Sequence, residues 1–502
     1  MVNAQLRSVF NRDKWVPFLG LAWLFLVTVV HVGLTWNWSY DDPYITYRYA
    51  ENLAAGSGFV YNVGQHVLST TSPLFSLLLM PVEFVHGNTP RISNLIGLCS
   101  IAIGALGLSR IVQGGSNRYL AGVSLILYPT MPLLLNTLGS EMPLYLGFCI
   151  FAMLFFLQKR FFASALFCCL ATLTRPDGVL LIVCFACWWL VEGRNSLKQV
   201  ELWQKITMPI AVYIFLMAAW CLFGFLYYGS PIPTTMTAKI AQASIEGGLR
   251  FLPGLITNAQ KYLPEVSWLE FGFACAGLVS MRYWSRSLVL IVCWTCVYVF
   301  AYSLLGVSAY FWYYAPLVPA LVVVAAIGID RVSTHLVIWV SRFTPKHAIN
   351  SPNRMLLIGT VVCVITVGQA VRVAQVSAKG DPRILIYRNA GEWLFQNTPL
   401  DSSIAALEVG AIGYYSRRTM IDFAGLLYPD IARHLSDAGS YEQSAIWTLM
   451  KYRPDYLVLR LTDFQAVWLG YAKEYCKPVH TVTDPGNHSD NELTIFACEK
   501  TT

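Results

Sequence analysis

The sequence predicts a polytopic α-helical membrane protein that carries a small water-soluble α/β domain at its C-terminal end. Three observations lead there. Hydrophobic residues fill 56% of the 502 positions and charged residues 13%, against ~45–50% and ~25% in soluble domains. The charge is unevenly spread: residues 1–375 hold 36 charged side chains and residues 376–502 hold 27, so the tail is about twice as densely charged. Apolar runs of membrane-spanning character recur through the first block and stop near residue 374. Coiled coil, collagen and disorder are excluded. The net charge of +7 is no nucleic-acid signal, because the basic excess sits on the membrane block, where the positive-inside rule places it.

The first run, 16–36, follows Arg7, Arg12 and Lys14. It is too long for the core of a cleaved signal peptide, so an uncleaved first helix with a cytoplasmic N-terminus is expected. Further runs lie at 92–110, 119–138, 142–158, 161–174, 178–191, 206–227, 269–281, 287–305, 310–330 and 355–374. A shorter run, 73–86, contains Pro81 and Glu83. If it does not cross, sixteen Lys and Arg of the membrane block face the cytoplasm and six face out; if it crosses, the bias reverses. It is therefore read as a juxtamembrane or re-entrant segment. That gives about eleven transmembrane helices in a membrane domain 1–375, with outer loops at 37–91 and 228–268, and an extracytoplasmic α/β domain at 376–502.

Scarce acidic residues then gather on the outer side. The first outer loop opens with Asp41-Asp42 and continues into a segment with apolar or aromatic residues at 45, 49 and 53. That spacing predicts a short helix lying on the membrane surface. One aspartate suits its N-cap. Two adjacent carboxylates exceed what a cap needs, and a carboxylate at the water–lipid boundary can act as a general base. Glu141 follows the tight turn Leu138-Gly139-Ser140 and reads either as a helix-start residue or as lining an outer cavity. In Thr174-Arg175-Pro176-Asp177-Gly178, Arg175 can pair with Asp177 or with an anionic ligand, since proline breaks the helix there. Lys239, in the second outer loop, is a candidate phosphate partner.

Eleven of thirteen cysteines lie in or beside the apolar runs. Cys184/Cys187 and Cys293/Cys296 have CxxC spacing without charged or histidine neighbours and read as packing. Cys476 and Cys498 flank strand-like runs at 478–482 and 493–497, separated by Asp484-Pro485-Gly486-Asn487. On an extracytoplasmic domain they could form a disulfide. The rest of the tail reads as helices at 389–396 and 442–451 and strands at 403–407, 419–423 and 456–459. No Gly-rich phosphate loop, metal cluster or nucleophile triad stands out in the sequence.

Together these residues resemble a known group. Asp41-Asp42-Pro-Tyr44-Ile-Thr-Tyr-Arg48-Tyr-Ala-Glu-Asn-Leu, then Gly56-Ser-Gly58-Phe-Val-Tyr-Asn62 and Thr71-Ser72-Pro73-Leu74, are similar to the first outer loop of polytopic GT-C glycosyltransferases. The likeness is greatest to the terminal arabinofuranosyltransferases of mycobacterial cell-wall synthesis and their relatives. Gly139-Ser140-Glu141, the 174–178 turn, 231–239, and the tail segments 408–415 and 421–426 match in order. The resemblance implies a polytopic enzyme of the cytoplasmic membrane. It would move a sugar, arabinofuranose in the nearest relatives, from a polyprenyl-phosphate donor to a cell-envelope glycan, glycolipid or protein on the outer face, with inversion. Asp41 or Asp42 would be the base; either could instead orient the acceptor or bind a divalent cation. Arg48, Arg175 and Lys239 would meet the donor's phosphate or sugar. Glu141, Asp177, Tyr44, Glu408 and Asp422 would line the cavity and hold the acceptor. Two other readings remain: a lipid-linked-sugar flippase using the same outer charges, and a non-catalytic scaffold displaying the 376–502 domain.

Overall fold

The computed structural model describes residues 12–115, 118–192, 200–245, 247–262, 267–343, 351–379, 381–483 and 492–499. Arg7 and the turn at 484–487 lie outside the described residues. In chain order the membrane block builds α1 (Arg12–Thr35), α2 (Pro43–Ala54), α3 (Pro73–Phe84), α4 (Thr89–Gly115), α5 (Arg118–Leu127) and α6 (Pro132–Leu135). It continues with α7 (Met142–Leu157), α8 (Phe161–Thr174), α9 (Leu180–Glu192), α10 (Val200–Tyr228), α11 (Thr234–Ser244) and α12 (Phe251–Tyr262). The block ends with α13 (Ser267–Val279), α14 (Arg286–Leu305), α15 (Val318–Phe343) and α16 (Ser351–Lys379).

The expected count of eleven spans is corrected. Among the described residues six helical stretches are long and apolar enough to cross a membrane: Phe18–Thr35, Thr89–Gly115, Lys205–Tyr228, Arg286–Leu305, Phe311–Arg342 and Arg354–Asn397. The run 119–138 is broken at Pro129 and Pro132 into α5, a 3-10 turn and α6, as a ring without an N–H requires. Helices α7, α8, α9 and α13 have 16, 14, 13 and 13 residues. At ~1.5 Å per residue none reaches the ~30 Å hydrocarbon core. The 12-residue α3 is also too short to cross.

The apolar surface fits a lipid solvent. Phe215 and Leu226 on α10 are 72% and 74% exposed, a stretch that water would not tolerate on a monomer. Inside the bundle, helices meet closely where side chains are absent. A Cβ on Gly277 or Gly328 would strike the backbone of the facing helix, so α13 and α15 pack backbone to backbone, as small residues allow in membranes. Leu108, Leu127, Leu146, Ile150 and Trp294 are fully buried in the resulting core.

The tail is a compact α/β unit. It contains α17 (Pro382–Asn397), β1 (Ser403–Ala406), α18 (Gly410–Ser416), β2 (Thr419–Asp422), α19 (Pro429–Ala438), α20 (Tyr441–Tyr452), β3 (Tyr456–Leu459), β4 (Cys476–Val482) and β5 (Leu493–Cys498). The sheet order is β2-β1-β3-β5-β4. Strands β1, β2 and β3 are parallel, with Ala405 beside both Ile421 and Leu457; β5 returns antiparallel to β3 and pairs antiparallel with β4. The strands are short and bury most of their residues, as parallel strands covered on both faces do. The sulfurs of Cys476 and Cys498 are bonded, and the two residues are direct register partners across β4 and β5.

A sequence separation of 22 residues gives the closed loop about 3 kcal/mol of unfolded-state restriction. Mass spectrometry of native protein is expected to find neither thiol free. The Cys476→Ser/Cys498→Ser double variant is expected to unfold at a clearly lower temperature in a thermal melt of the full chain.

Candidate active site

The short amphipathic helix after Asp42 does not lie on the membrane surface. Nine of the twelve residues of α2 are buried, including Tyr44, Tyr47, Arg48 and Tyr49. It is sandwiched between the helical bundle and the tail domain, and that placement splits the work of Asp41 and Asp42. The expected N-cap is corrected: Asp42 stands at the N-cap position of α2 but makes no side-chain cap bond there. Asp41 instead caps a helix of the other domain. Its two carboxylate oxygens accept from the backbone N–H of Gly410 (2.9 Å) and Ala411 (2.8 Å), at the start of α18. Gly410 is required by contact, because a Cβ there would collide with the backbone and carboxylate of Asp41. Burial, then the Glu408 carboxylate, holds the Asp41 carboxyl well above the usual range, against the two amide bonds.

The same junction is fastened at several other points. Asn62 brackets Met420, donating to its carbonyl (2.8 Å) and accepting from its N–H (2.9 Å). Tyr414 donates to Glu83 of α3 (2.7 Å) and Arg417 pairs with Glu51 (2.6 Å). The segment 73–86 thus faces the tail domain.

With Asp41 committed, Asp42 is left facing a cavity of about 640 Å³ between α2, the start of α3, the 174–178 turn, α10, α11 and the outer end of α14. Asp42, Glu141, Arg175, Asp177 and Lys239 all line it. Each is set by local structure. Gly139 adopts φ 90°, open to a residue without Cβ, and its carbonyl accepts from Tyr47 (2.6 Å) and Ser93 (2.5 Å). This fixes the turn that presents Glu141. Arg175 precedes Pro176 and is extended at φ −151°, ψ 135°, the conformation that a following proline favours.

The charges form two groups. Lys239 Nζ lies 3.2 Å from Asp42 Oδ2 and 3.9 Å from the centre of the Tyr310 ring. Burial opposes its ammonium form, but the Asp42 carboxylate together with Tyr310, Tyr313 and Tyr441 outweighs this and the lysine is shifted upward. All three nitrogens of Arg175 are engaged: Nη1 with Glu141 (2.7 Å), Nε with Asp177 (3.2 Å) and Nη2 with Tyr302 (3.1 Å). Tyr302 in turn donates to Asp177 (2.8 Å). Arg175 is therefore a fixed strut inside a carboxylate–tyrosine frame, whereas Lys239 has donor capacity left for an anion. The wall between the groups is aromatic, with Tyr40 stacked on Trp312 (5.5 Å) and Trp312 on Tyr310 (4.5 Å).

Four residues expected at the site lie elsewhere. Arg48 is buried against Glu51 (2.7 Å), facing the domain junction. Tyr44 sits in a box of Tyr47, Tyr414 and Tyr415 and donates to Ser39 (3.2 Å). Asp422 accepts from the N–H of Leu426 and Leu427, closing the turn after β2. Glu408 is outside the cavity lining but close enough to feel Asp42 and Lys239. The aspartate pair does not offer a divalent cation two free carboxylates, because both oxygens of Asp41 are held by backbone amides. Among the described residues no group of three or more His, Cys, Asp or Glu is placed to hold a metal ion. The aromatic wall was missed because 310–330 reads as one apolar span. Seven residues near its start form a 3-10 helix, Phe311–Leu317, and the run Tyr310-Phe-Trp-Tyr-Tyr314 was the available signal.

Comparisons with known proteins agree with this architecture. Residues 374–496, the tail domain, match a family described as a domain of unknown function (DUF8728). Over 271 residues the chain is 26% identical to the terminal beta-(1->2)-arabinofuranosyltransferase of Mycobacterium tuberculosis (strain ATCC 25618 / H37Rv). That match takes in 48% of this chain and 41% of the relative, so the chain spans about two fifths of the length of that protein. ArnT from Cupriavidus metallidurans bound to undecaprenyl phosphate superposes with a TM-score of 0.61 at 13% identity, covering 97% of this chain and 98% of that one. The oligosaccharyltransferase AglB from Archaeoglobus fulgidus, in complex with an inhibitory peptide and a dolichol-phosphate, gives 0.60 at 12% identity, covering 97% and 75%. The chain thus has a polytopic α-helical, GT-C-like fold with a C-terminal β-containing domain, similar to ArnT and AglB over nearly its whole length.

Two outcomes follow from the junction. Asp41→Ala removes a helix cap, worth about 1–2 kcal/mol, and Gly410→Ala forces the domains apart; both are expected to speed proteolytic release of the tail in limited digestion. Burial pushes Asp422 up to about 6, so between about pH 4 and 6 the folded state keeps a proton that the unfolded state has lost. The Asp422 contribution to tail stability should therefore fall by about 3 kcal/mol as pH rises through that window, and Asp422→Asn should remove that part of the slope in pH-dependent denaturation.

Proposed function

We propose that the protein is an inverting glycosyltransferase. It moves a sugar from a polyprenyl-phosphate donor to a hydroxyl of a cell-envelope acceptor, on the outer face of the cytoplasmic membrane. One observation carries this reading. A carboxylate with no capping duty, Asp42, stands 3.2 Å from an ammonium, Lys239, in the wall of a cavity lined largely by apolar residues, with Glu408 of the charged tail domain close by. Such a boundary suits a substrate whose tail belongs in lipid and whose sugar belongs in water.

The chemistry follows from the two groups. The acceptor hydroxyl gives its proton to Asp42 as its oxygen attacks the anomeric carbon. The bond from that carbon to the phosphate oxygen breaks on the opposite face, and the configuration inverts. The lipid phosphate leaves with the electron pair, and Lys239 meets the charge it gains. Arg175, held by Glu141, Asp177 and Tyr302, keeps the cavity open and its wall polar without itself leaving its partners. The apolar side of the cavity, with Met217, Trp220 and Ile232, suits the first isoprenoid units. The curated relative is named for arabinofuranosyl transfer, and this supports arabinofuranose as the sugar.

The outward orientation rests on the charge bias of the sequence. A flippase would need ionisable groups along a path through the bilayer, whereas the cavity's charges are paired with one another, Asp42 with Lys239 and Arg175 with Glu141 and Asp177. A scaffold would leave the Asp42–Lys239 pair without a use.

The test is transfer by full-length protein in nanodiscs, using an arabinofuranosyl donor on a short polyprenyl phosphate. Asp42→Asn is expected to lower kcat by about 10²–10⁴-fold with the fold intact, and Lys239→Met to lower kcat/KM for the donor by at least tenfold. Full activity in Asp42→Asn would falsify the assignment of the base.

A further inference from the structure

The end of the helical bundle away from the cavity carries a second group of cations. Trp312 and Tyr313, in the 3-10 helix Phe311–Leu317, line the cavity, and α15 then runs from Val318 past Arg331. Rises of about 2 Å per 3-10 residue and about 1.5 Å per α-helical residue put Arg331 roughly 30 Å farther along the axis, which is about the thickness of a bilayer's hydrocarbon core. The antiparallel α14 agrees: Tyr302, near its end, lines the cavity, and Arg286 opens it at the other end. Arg282 lies just before, in the short turn Met281–Tyr283 that follows α13. The cavity end is also the tail end, because Asp41, next to Asp42, binds Gly410.

Arg282 and Arg331 share one ring. Their guanidinium carbons lie 4.7 and 3.7 Å from the centre of Tyr283. Neither pairs with a carboxylate among the described residues, and the Nε of Arg331 is buried without a partner. The acid beside it in sequence, Asp330, is taken by Arg354. The ring attracts each cation, but two like charges beside it repel, and a buried donor left unpaired is costly. Placement of basic residues by the positive-inside rule needs charge near the boundary. It does not need two guanidiniums gathered on one ring without an acid. The surface just before them is apolar and open: Val279 is 88% exposed, and Leu278 and Met281 are exposed as well.

We propose that Arg282 and Arg331 bind the phosphodiester of an anionic phospholipid, in the leaflet away from the tail domain. A guanidinium fork meets two phosphate oxygens at once, and basic residues between helix ends recognise lipid headgroups in this way. A headgroup of net negative charge neutralises the uncompensated pair, whereas a zwitterionic one brings its own cation. Long arginine stems let the charges reach the boundary from helices of the bundle. Leu278, Val279 and Met281 offer a surface to the acyl chain, which a free phosphate ion would leave uncovered. This site is separate from the cavity of Asp42 and Lys239, and it does not rest on the glycosyltransferase reading.

The test is lipid retention by full-length protein in neutral detergent, read by native mass spectrometry. The probes are phosphatidylglycerol, phosphatidylcholine and inorganic phosphate. Wild type is expected to hold phosphatidylglycerol more tightly than phosphatidylcholine, and millimolar inorganic phosphate is expected not to displace it. Arg282→Gln and Arg331→Gln should each weaken phosphatidylglycerol binding by about fivefold or more, and Arg331→Lys by less. Arg110→Gln, at an exposed arginine near the same end of α4, should leave it unchanged. Arg282 is exposed, so its variant decides the matter even if Arg331→Gln fails to fold, a case that thermal midpoints without lipid identify. Equal retention of the two lipids, displacement by inorganic phosphate, full binding by Arg282→Gln, or an equal loss in Arg110→Gln overturns the site.

Discussion

The rest of the site depends on the Asp41 carboxylate seated on the first two amides of α18. The N-terminus of a helix presents unsatisfied N–H groups and a partial positive charge. A buried carboxylate is costly unless such donors meet it. Each side of the junction therefore satisfies a deficit of the other. Since Asp42 is the next residue, fixing Asp41 also fixes where Asp42 starts, and Pro43 then locks the entry to α2. One interaction joins two domains and leaves one carboxylate facing the cavity.

The cavity shows how a charged site is kept in a mostly apolar molecule. Its charges are paired at short range, Asp42 with Lys239 and Arg175 with Glu141 and Asp177, so no ion is buried alone. The two pairs differ in purpose because they differ in saturation. Arg175 has each of its nitrogens occupied, and its planar fork fits that role. Lys239 is a point charge with one carboxylate partner and an aromatic ring behind it. It can shift toward a phosphate without leaving Asp42 far away. The residue that looks most like an anion receptor in sequence, an arginine beside a proline, is thus the one whose geometry is already used up.

Much of this was legible from the residues alone. Alternation in the tail located β1, β2, β3 and α20 to within a residue or two. Asp42, Glu141, Arg175, Asp177 and Lys239 stood out because charges are scarce in an apolar block. What was not legible depended on contacts between distant segments. That Asp41 and not Asp42 is a cap, for a helix about 370 residues away, leaves no mark in local spacing. The helix α18 itself, starting Gly410-Ala-Ile-Gly413, has a composition that local propensity disfavours; its docking against Asp41, Tyr44 and Tyr61 forms it. Arg48 and Asp422 looked functional because they are charged in matched segments, and their burial in structural pairs became visible only with the fold. The span count failed for a related reason. Apolar composition marks burial, and in a bundle this crowded short helices can be buried by protein as well as by lipid.

The two halves of the molecule contribute different parts to the junction. The membrane block holds Asp42 and Lys239, to which the proposed reaction gives the proton and the phosphate, beside the Glu141 turn and Arg175, which are braced by Tyr47, Ser93 and Tyr302. The tail offers the open end of a parallel sheet, the part of an α/β unit where side chains from separate loops converge. The position of Asp42 is therefore a property of the junction, set by a few backbone contacts, Asp41 to Gly410 and Asn62 to Met420. A loss of an ångström there would be felt in the chemistry, even though no reacting group had changed.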